Sequence, residues 1–305
     1  GMTEFYTSLP LSLRIGVLRG GPSSEYEASI KSGANILKHL LETHIPVDIF
    51  VSRDGSWHIH GIKKSPEQIL KSLDVVFNSL HGFYGEDGTV QDILDKFGAK
   101  YSGSGRYSSS IAMNRQLAKE HLVIYGFKTP VHTTVRRGED VQKRAREIFN
   151  TMPHPLVVKP AKGGSAYGFA VVDNHTDLQG ILTALLKNHD SVVVEEYIQG
   201  VSVSCLVTDN FRGQRLYAFP PSADLLPDER KAVEEMAKNI HQLLDLSHYS
   251  QSDFIVSPRR GVYFLEVNTS PKLGEKSLAV KAIEKVGVST KEFLHHLVRL
   301  ALNRK

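Results

Sequence analysis

Two carboxylates and an amide in one stretch of the chain have the types and spacing of a metal site. Glu266 and Asn268 follow the β-rich run Val262–Leu265, so a strand would point both side chains to one face. The turn Ser257–Gly261 predicts a hairpin whose other strand places Asp253 beside them. Such oxygen donors suit Mg²⁺, or Mn²⁺ in its place, with phosphate and water completing the coordination. The alternative is a hairpin whose polar ends only face water.

A strand, a glycine-rich turn and a helix near the start of the chain form the first element that could position a ligand. The apolar run Leu13–Leu18 precedes Arg19–Ser24, and Ser24 and Glu27 have the spacing of a capping box at the helix start. This order is typical of a Rossmann-like unit, although the full dinucleotide fingerprint is absent. Glu25 has two interpretations: a ligand contact, or an acid that complements the helix dipole.

A second glycine-rich loop, Ser79–Thr89, follows the predicted strand Asp74–Asn78 and precedes the helix Val90–Phe97. Loops at the carboxyl ends of parallel strands are where such sheets bind ligands. His81 lies in this loop and is the strongest histidine candidate.

The middle of the chain suggests a phosphate-binding loop. Lys159 ends the predicted strand Leu156–Pro160 and precedes the glycine-rich run Ala161–Gly168, which contains Gly163, Gly164 and Ser165. Its amides could donate to phosphates while the lysine neutralises them. A flexible hairpin is the alternative, since the run is not a Walker A motif.

Two further segments flank this loop. Ser108–Tyr125 has a periodic apolar face and predicts one continuous helix. Ser191–Ile198 predicts a buried strand that ends in Glu195, Glu196 and Ile198; where it meets a cleft, its backbone could read an adenine edge, with Ile198 packed on the ring.

Composition describes an ordinary globular protein large enough for two or three domains. The 305 residues are 41% hydrophobic and 23% charged, with a net charge of +4 and no basic block that would indicate nucleic acid. The single cysteine, Cys205, excludes a disulfide framework and a cysteine-based zinc site, and fits a cytoplasmic protein. We expect no membrane span, because no apolar segment is long enough.

Seven motifs in order give the chain a resemblance that covers about residues 14–302. They are GGPSSEYEAS, SLHGFYGEDGTVQ, YSGSG, VVKPAKGGSAYG, VVVEEYIQG, DF with EVNTSP, and KSL. Together they resemble the ATP-grasp superfamily, and specifically the D-alanine–D-alanine ligases. The resemblance implies an α/β protein (with α+β lobes): a Rossmann-like N-terminal domain at 1–107, then a two-lobed ATP-grasp domain with a central lobe at 108–200 and a C-terminal lobe with the metal site at 201–305.

The same resemblance implies a role for each matching residue. The metal ligands, for two Mg²⁺ ions, would be Asp253, Glu266 and Asn268. The ATP contacts would be Arg115, Lys159, Gly163, Gly164, Glu195, Glu196, Ile198 and Ser202. The residues around the amino acids and the reacting groups would be Glu25, His81, Ser165, Gln251, Lys272, Ser277 and Leu278.

The family chemistry is ATP-dependent joining of two D-alanines for peptidoglycan. The first carboxylate attacks the γ-phosphate to give an acyl phosphate and ADP, and the second amino group then displaces phosphate. A homodimer is expected because relatives commonly form one.

Several positions depart from the family pattern. Gln251 stands where the family carries an arginine, Lys272 replaces a glycine of the oxyanion hole, and Ser202 replaces a ribose-binding glutamate. The tyrosine–lysine lid segment is also absent. The first interpretation is an active enzyme in which Lys272 supplies the cation that Gln251 lost, so Lys272→Gly would abolish turnover. The second is a diverged paralogue that ligates other amino acids, or a nucleotide-binding protein with little catalysis.

Overall fold

The computed structural model describes residues 9–10, 12–161 and 170–305, and within them the chain forms three β-sheets flanked by helices. The strands of the first sheet are β1 (Arg14–Gly20), β2 (Ile45–Val51), β3 (Trp57–Ile59), β4 (Ile62–Lys63) and β5 (Val75–Asn78). Their order is β4-β3-β2-β1-β5, and β1 lies parallel to both β2 and β5. The Rossmann-like beginning is therefore confirmed.

Three helices belong to this first part of the chain: α1 (Tyr26–Leu40), α2 (Pro66–Leu70) and α3 (Thr89–Lys96). The capping box predicted for Ser24 and Glu27 is wrong. Glu25 occupies the N-cap position of α1 without a side-chain cap, and the Ser23 hydroxyl accepts a hydrogen bond from the Glu25 amide at 3.0 Å. The carboxyl group of Glu25 is thus not used to cap its own helix.

The next helical segment is broken where the sequence predicted one helix. Its two parts are α4 (Arg106–Met113) and α5 (Arg115–Val123). Asn114 between them has an extended backbone, and its side chain accepts a hydrogen bond from the Leu117 amide at 3.1 Å, which caps α5. The prediction of a single helix was wrong because the apolar period continues across a residue that starts a new helix.

The second sheet is antiparallel and carries two helices on one face. The strands are β6 (His132–Arg136), β7 (Leu156–Pro160), β8 (Ala170–Val172) and β9 (Ser191–Glu196), and the helices are α6 (Val141–Thr151) and α7 (His175–Leu185). The strand order is β6-β9-β7-β8. Apolar side chains of both helices pack with those of the strands in one core, including Ile148, Leu182 and Val194.

The third sheet is antiparallel and contains the predicted hairpin. The strands are β10 (Val201–Phe211), β11 (Gln214–Ala218), β12 (Tyr249–Ser257) and β13 (Gly261–Asn268), and the helix α8 (Pro227–Leu243) packs on them. Their order is β11-β10-β12-β13, with Ser257 paired to Gly261 at the turn. The hairpin prediction is confirmed, including its turn.

Two helices after the hairpin return to the first sheet. These are α9 (Leu278–Glu284) and α10 (Thr290–Leu302). Leu294 and Leu297 of α10 share a buried core with Ile15 and Phe77 of the first sheet. The hairpin is therefore held against the first sheet by the chain that follows it.

Among the described residues, no helix combines the length and apolar character needed to cross a membrane. The domain boundaries at 107/108 and 200/201 stay predictions.

Candidate active site

A cavity of about 350 Å³ opens between the loops of the first sheet and the β12–β13 hairpin. It brings together eight of the residues that the sequence singled out: Glu25, His81, Gln251, Asp253, Asn268, Lys272, Ser277 and Leu278. These residues are far apart in the chain. They meet because the glycine-rich loops that follow β1 and β5 face the end of the hairpin. The cavity is therefore the candidate active site.

The carboxylate-bearing end of the hairpin has the geometry that the metal hypothesis requires. Asp253 pairs with Glu266 in the strand register, and Gln251 pairs with Asn268. Directly paired residues of an antiparallel ladder project to the same face. Burial and the adjacent Glu266 carboxylate raise the pKa of Asp253 to about 8, although the Ser204 hydroxyl donates to it at 2.6 Å.

This donor set fits a divalent cation. Two carboxylates held beside each other repel. The pKa of Asp253 is raised because, without a cation, it is unfavourable for both buried carboxyl groups to be ionised. Asn268, on the same strand as Glu266, adds an amide oxygen. Mg²⁺ accepts such oxygens and keeps other positions for phosphate and water.

The opposite end of the cavity is built from hydrogen bonds to buried neutral groups. His81 is 2% exposed, and its Nε2 lies 2.8 Å from the Ser32 hydroxyl. Burial and the nearby Lys272 lower the pKa of His81 to about 3, so the ring is neutral under physiological conditions. The Glu86 carboxyl group accepts hydrogen bonds from the amides of Gly82 at 2.6 Å and Ser270 at 3.0 Å.

Burial and the charge of Glu25 raise the pKa of Glu86 to about 8, which favours its protonated form at neutral pH. We call the set His81, Glu86, Ser32 and Ser270 the hydrogen-bonded cluster. Glu25 lies beside it, and its Oε2 sits 3.0 Å from where a Cβ at Gly82 would be. Gly82 also has a φ of +75°, so two independent constraints require glycine there.

A second group of charges lies next to the candidate metal ligands, and Glu266 belongs to both sets. Arg115 Nε is 3.0 Å from Glu266 Oε2, and Lys159 Nζ is 3.2 Å from Glu195 Oε2. Lys119 pairs with the same Glu195, and both side chains are almost completely buried. We call Arg115, Lys119, Lys159, Glu195 and Glu266 the charged cluster.

Burial lowers the pKa of Lys159 to about 8 and lowers that of Lys119 well below its usual value, and neighbouring positive charges add to both effects. Three cations around two carboxylates are suited to an additional anion such as a triphosphate.

The remaining predicted contacts lie outside the cavity. Glu196 is buried and accepts a hydrogen bond from the Val131 amide at 2.9 Å, and the Ile198 side chain is also buried. Ser202 is exposed on β10. Gly163, Gly164 and Ser165 lie outside the described residues.

Comparisons with known proteins give one consistent family. The family model for the D-ala D-ala ligase C-terminus matches residues 123–218 and 214–299, and the N-terminus model matches residues 60–104. The D-alanine–D-alanine ligase of Geobacter sulfurreducens is 33% identical, over 93% of this chain and 93% of its own. This chain belongs to the D-alanine–D-alanine ligase family.

Solved structures of the family agree. The D-alanine–D-alanine ligase from Coxiella burnetii has a TM-score of 0.86 at 25% identity, and covers 97% of this chain and 95% of its own. The ligase from Bacillus anthracis, solved with ATP, has a TM-score of 0.80 at 28% identity, with 95% and 97% covered. The ATP-grasp fold class is thereby confirmed.

Two departures from the ligase family pattern fall in the cavity. Gln251 and Lys272 both line it, but the Lys272 ammonium is 3.3 Å from Glu25 Oε1. In this structure the charge of Lys272 is paired with the Glu25 carboxylate. Compensation for the missing arginine by Lys272 stays a prediction.

Sequence reasoning missed four residues that the structure places in these clusters: Ser32, Glu86, Lys119 and Ser270. Glu86 was visible within the motif GEDGT, but nothing in the letters showed that it would be buried against Ser270. Lys119 stands four residues after Arg115, so the helical period could have placed both on one face.

Proposed function

We propose that this member of the ligase family joins two D-alanines at the expense of ATP. The observation that carries the proposal is the cavity that unites Glu25 and His81 with Asp253 of the hairpin and with Lys272. One end offers a carboxylate to an ammonium group, and the other offers a cation site to a triphosphate. An amino acid between them presents its carboxylate to the γ-phosphate.

In this proposal the charged cluster contacts the nucleotide phosphates. Arg115 and Lys159 neutralise phosphate oxygens, and the buried ion pair of Lys119 with Glu195 fixes the position of the surrounding cations. Charge neutralisation and positioning are the main contributions that a protein makes to phosphoryl transfer.

Asp253, Glu266 and Asn268 would hold Mg²⁺. A bound cation offsets the charge of the phosphates that the first carboxylate approaches. The Ser204 hydroxyl donates to Asp253 and keeps its other oxygen available.

At the amino-acid end, Glu25 receives the ammonium of the first substrate. His81 and Glu86 contribute little charge at neutral pH and hold the wall through Ser32 and Ser270. Ser277 and Leu278 line the same cavity and contact the second substrate. Exclusion of water from the closed site would protect the acyl phosphate from hydrolysis.

The test is ADP release with Mg-ATP across a panel of D- and L-amino acids, with mass spectrometry of the product. D-Alanyl-D-alanine as the main product is the expected result. Release with a different pair would assign another amino acid, and nucleotide binding without turnover on any pair would contradict the proposal. Action in the cytoplasm and a homodimeric assembly are part of the proposal, and fractionation and sedimentation test them.

A further inference from the structure

The ion pair between Lys272 and Glu25 places a protein cation at the carboxylate that a substrate ammonium would use. Lys272 Nζ is 3.3 Å from Glu25 Oε1, and the side chains are 50% and 16% exposed. Glu25 lines the cavity together with His81 and Glu86 of the hydrogen-bonded cluster. An amino acid that offers its carboxylate toward the hairpin must direct its ammonium to Glu25.

The backbone that carries Lys272 is fixed on both sides. The Ser270 amide donates to Glu86, and the Leu273 amide donates to the Ser32 hydroxyl at 3.0 Å. The Leu273 carbonyl accepts from Asn35 at 2.8 Å. Because these partners belong to the first sheet's loop and to α1, the Lys272 side chain starts from a defined place beside Glu25.

A neighbouring groove can accept the Lys272 side chain when it leaves Glu25. Lys272 lies on the wall between the cavity and this groove of about 610 Å³, which α1 and the segment 272–277 line. Glu275 lines that groove as well, but so do Lys31, Lys38 and Lys276, so the groove offers Lys272 room rather than a net opposite charge. A flexible four-carbon side chain can turn from one space into the other without moving its backbone.

We propose that Lys272 is a counter-ion that the first substrate displaces, and that it sets the selectivity of the Glu25 subsite for ammonium-bearing acids. This inference rests on the proposed function. In the free protein Lys272 neutralises Glu25; an entering ammonium must replace it and release it to the groove. A ligand that lacks the ammonium, such as a 2-hydroxy acid, has no need to displace Lys272.

The physical consequence is that Lys272 limits how strongly the Glu25 subsite prefers an amino acid over its hydroxy analogue. An exposed or half-exposed ion pair is worth little, so its loss changes affinity by about two- to fivefold. Lys272 also attracts the carboxylate of any ligand, but this attraction is common to an amino acid and its hydroxy analogue. The ratio of the two dissociation constants therefore isolates the competition at Glu25.

The experiment measures the binding of D-alanine and D-lactate by calorimetry, with a nucleotide analogue that cannot transfer its phosphate. The binding event that Glu25→Gln removes identifies the subsite. In Lys272→Met the ratio of the D-lactate constant to the D-alanine constant rises about two- to fivefold, and Lys272→Gln gives the same direction. Lys272→Arg keeps the charge and returns the ratio toward that of the unsubstituted protein.

Lys276→Met is the matched control, since Lys276 lines the same two spaces and carries the same charge. It leaves the ratio unchanged. An unchanged or lowered ratio in both Lys272→Met and Lys272→Gln would overturn the inference. If the unsubstituted protein turns over another amino acid, the function proposal fails, while the same ratio is measured with that amino acid and its hydroxy analogue.

Discussion

The hydrogen-bonded cluster and the charged cluster lie at opposite ends of the site and are stabilised differently. His81 and Glu86 are buried, and their shifted pKa values favour the uncharged forms, which backbone amides and hydroxyls hold in place. In the charged cluster, Lys119 and Lys159 share Glu195, and Arg115 pairs with Glu266.

The difference shows two ways in which a protein can bury ionisable side chains. In the hydrogen-bonded cluster, His81 and Glu86 favour their neutral forms, because a neutral side chain costs less free energy to desolvate than a charged one. At the other end charges are kept beside opposite charges, and the loss of one partner leaves another unpaired. The second arrangement is therefore the more sensitive to substitution.

Glu266 belongs both to the charged cluster and to the proposed metal ligands, so Glu266→Gln tests that connection most severely. We expect kcat to fall by about a hundred- to a thousandfold, because cation and phosphate contacts contribute several kcal/mol. Steady-state ADP release at saturating Mg-ATP measures it. Glu235→Gln, on the exposed face of α8, is the control. A fall of less than tenfold would separate Glu266 from the chemistry.

Lys119→Met tests whether the charged cluster depends on paired burial. We expect the free energy of unfolding to fall by about 3 kcal/mol, because Glu195 loses one of two partners in a dry environment. Urea denaturation measures the change. The double variant Lys119→Met with Glu195→Gln should recover part of the loss, and additive losses would contradict the pairing.

His81→Gln tests the claim that the hydrogen-bonded cluster is neutral. The folded pKa of His81, about 3, lies below the unfolded value near 6.5, so the unfolded chain binds a proton that the folded one refuses. Stability from neutral His81 is therefore present above pH 6.5 and is lost as pH falls toward 3.

Between pH 7 and pH 4.5 we expect the unsubstituted protein to lose about 2.5 kcal/mol more than His81→Gln. Urea denaturation of both proteins at the two pH values gives the double difference. A difference that does not change with pH would mean that His81 has the same pKa in the folded and unfolded states.

Ser202→Glu is expected to have the smallest effect, since Ser202 lies outside both clusters on the exposed face of β10. A carboxylate there would accept a hydrogen bond from a ribose hydroxyl and lower the KM for ATP about threefold. Ser202→Gln has similar size without charge and serves as the comparison. An equal effect of both variants would make charge irrelevant at this position.

The hairpin was predictable because alternation along two apolar strands and a short turn fix the register. Asp253 and Glu266 face each other as the spacing requires. The apolar period of Ser108–Tyr125 suggested one helix. Periodicity alone does not show that Asn114 can cap a second helix. Local pattern is informative about elements and weak at their ends.

The pKa values could not be predicted from the letters. Glu86 is protonated near neutral pH because of Glu25 and burial, and both depend on a loop folded against α1. The pairing of Lys272 with Glu25 joins residues nearly at opposite ends of the chain. Such contacts follow from tertiary packing, and the family resemblance named Lys272 without showing its partner.

The packing of α10 on the first sheet has a consequence for synthesis on the ribosome. Ile15 and Phe77 emerge from the ribosome long before Leu294 and Leu297, which complete their core. An apolar face of the first sheet therefore stays uncovered until α10 has been made. Chaperone demand should therefore be highest while the middle of the chain is being synthesised.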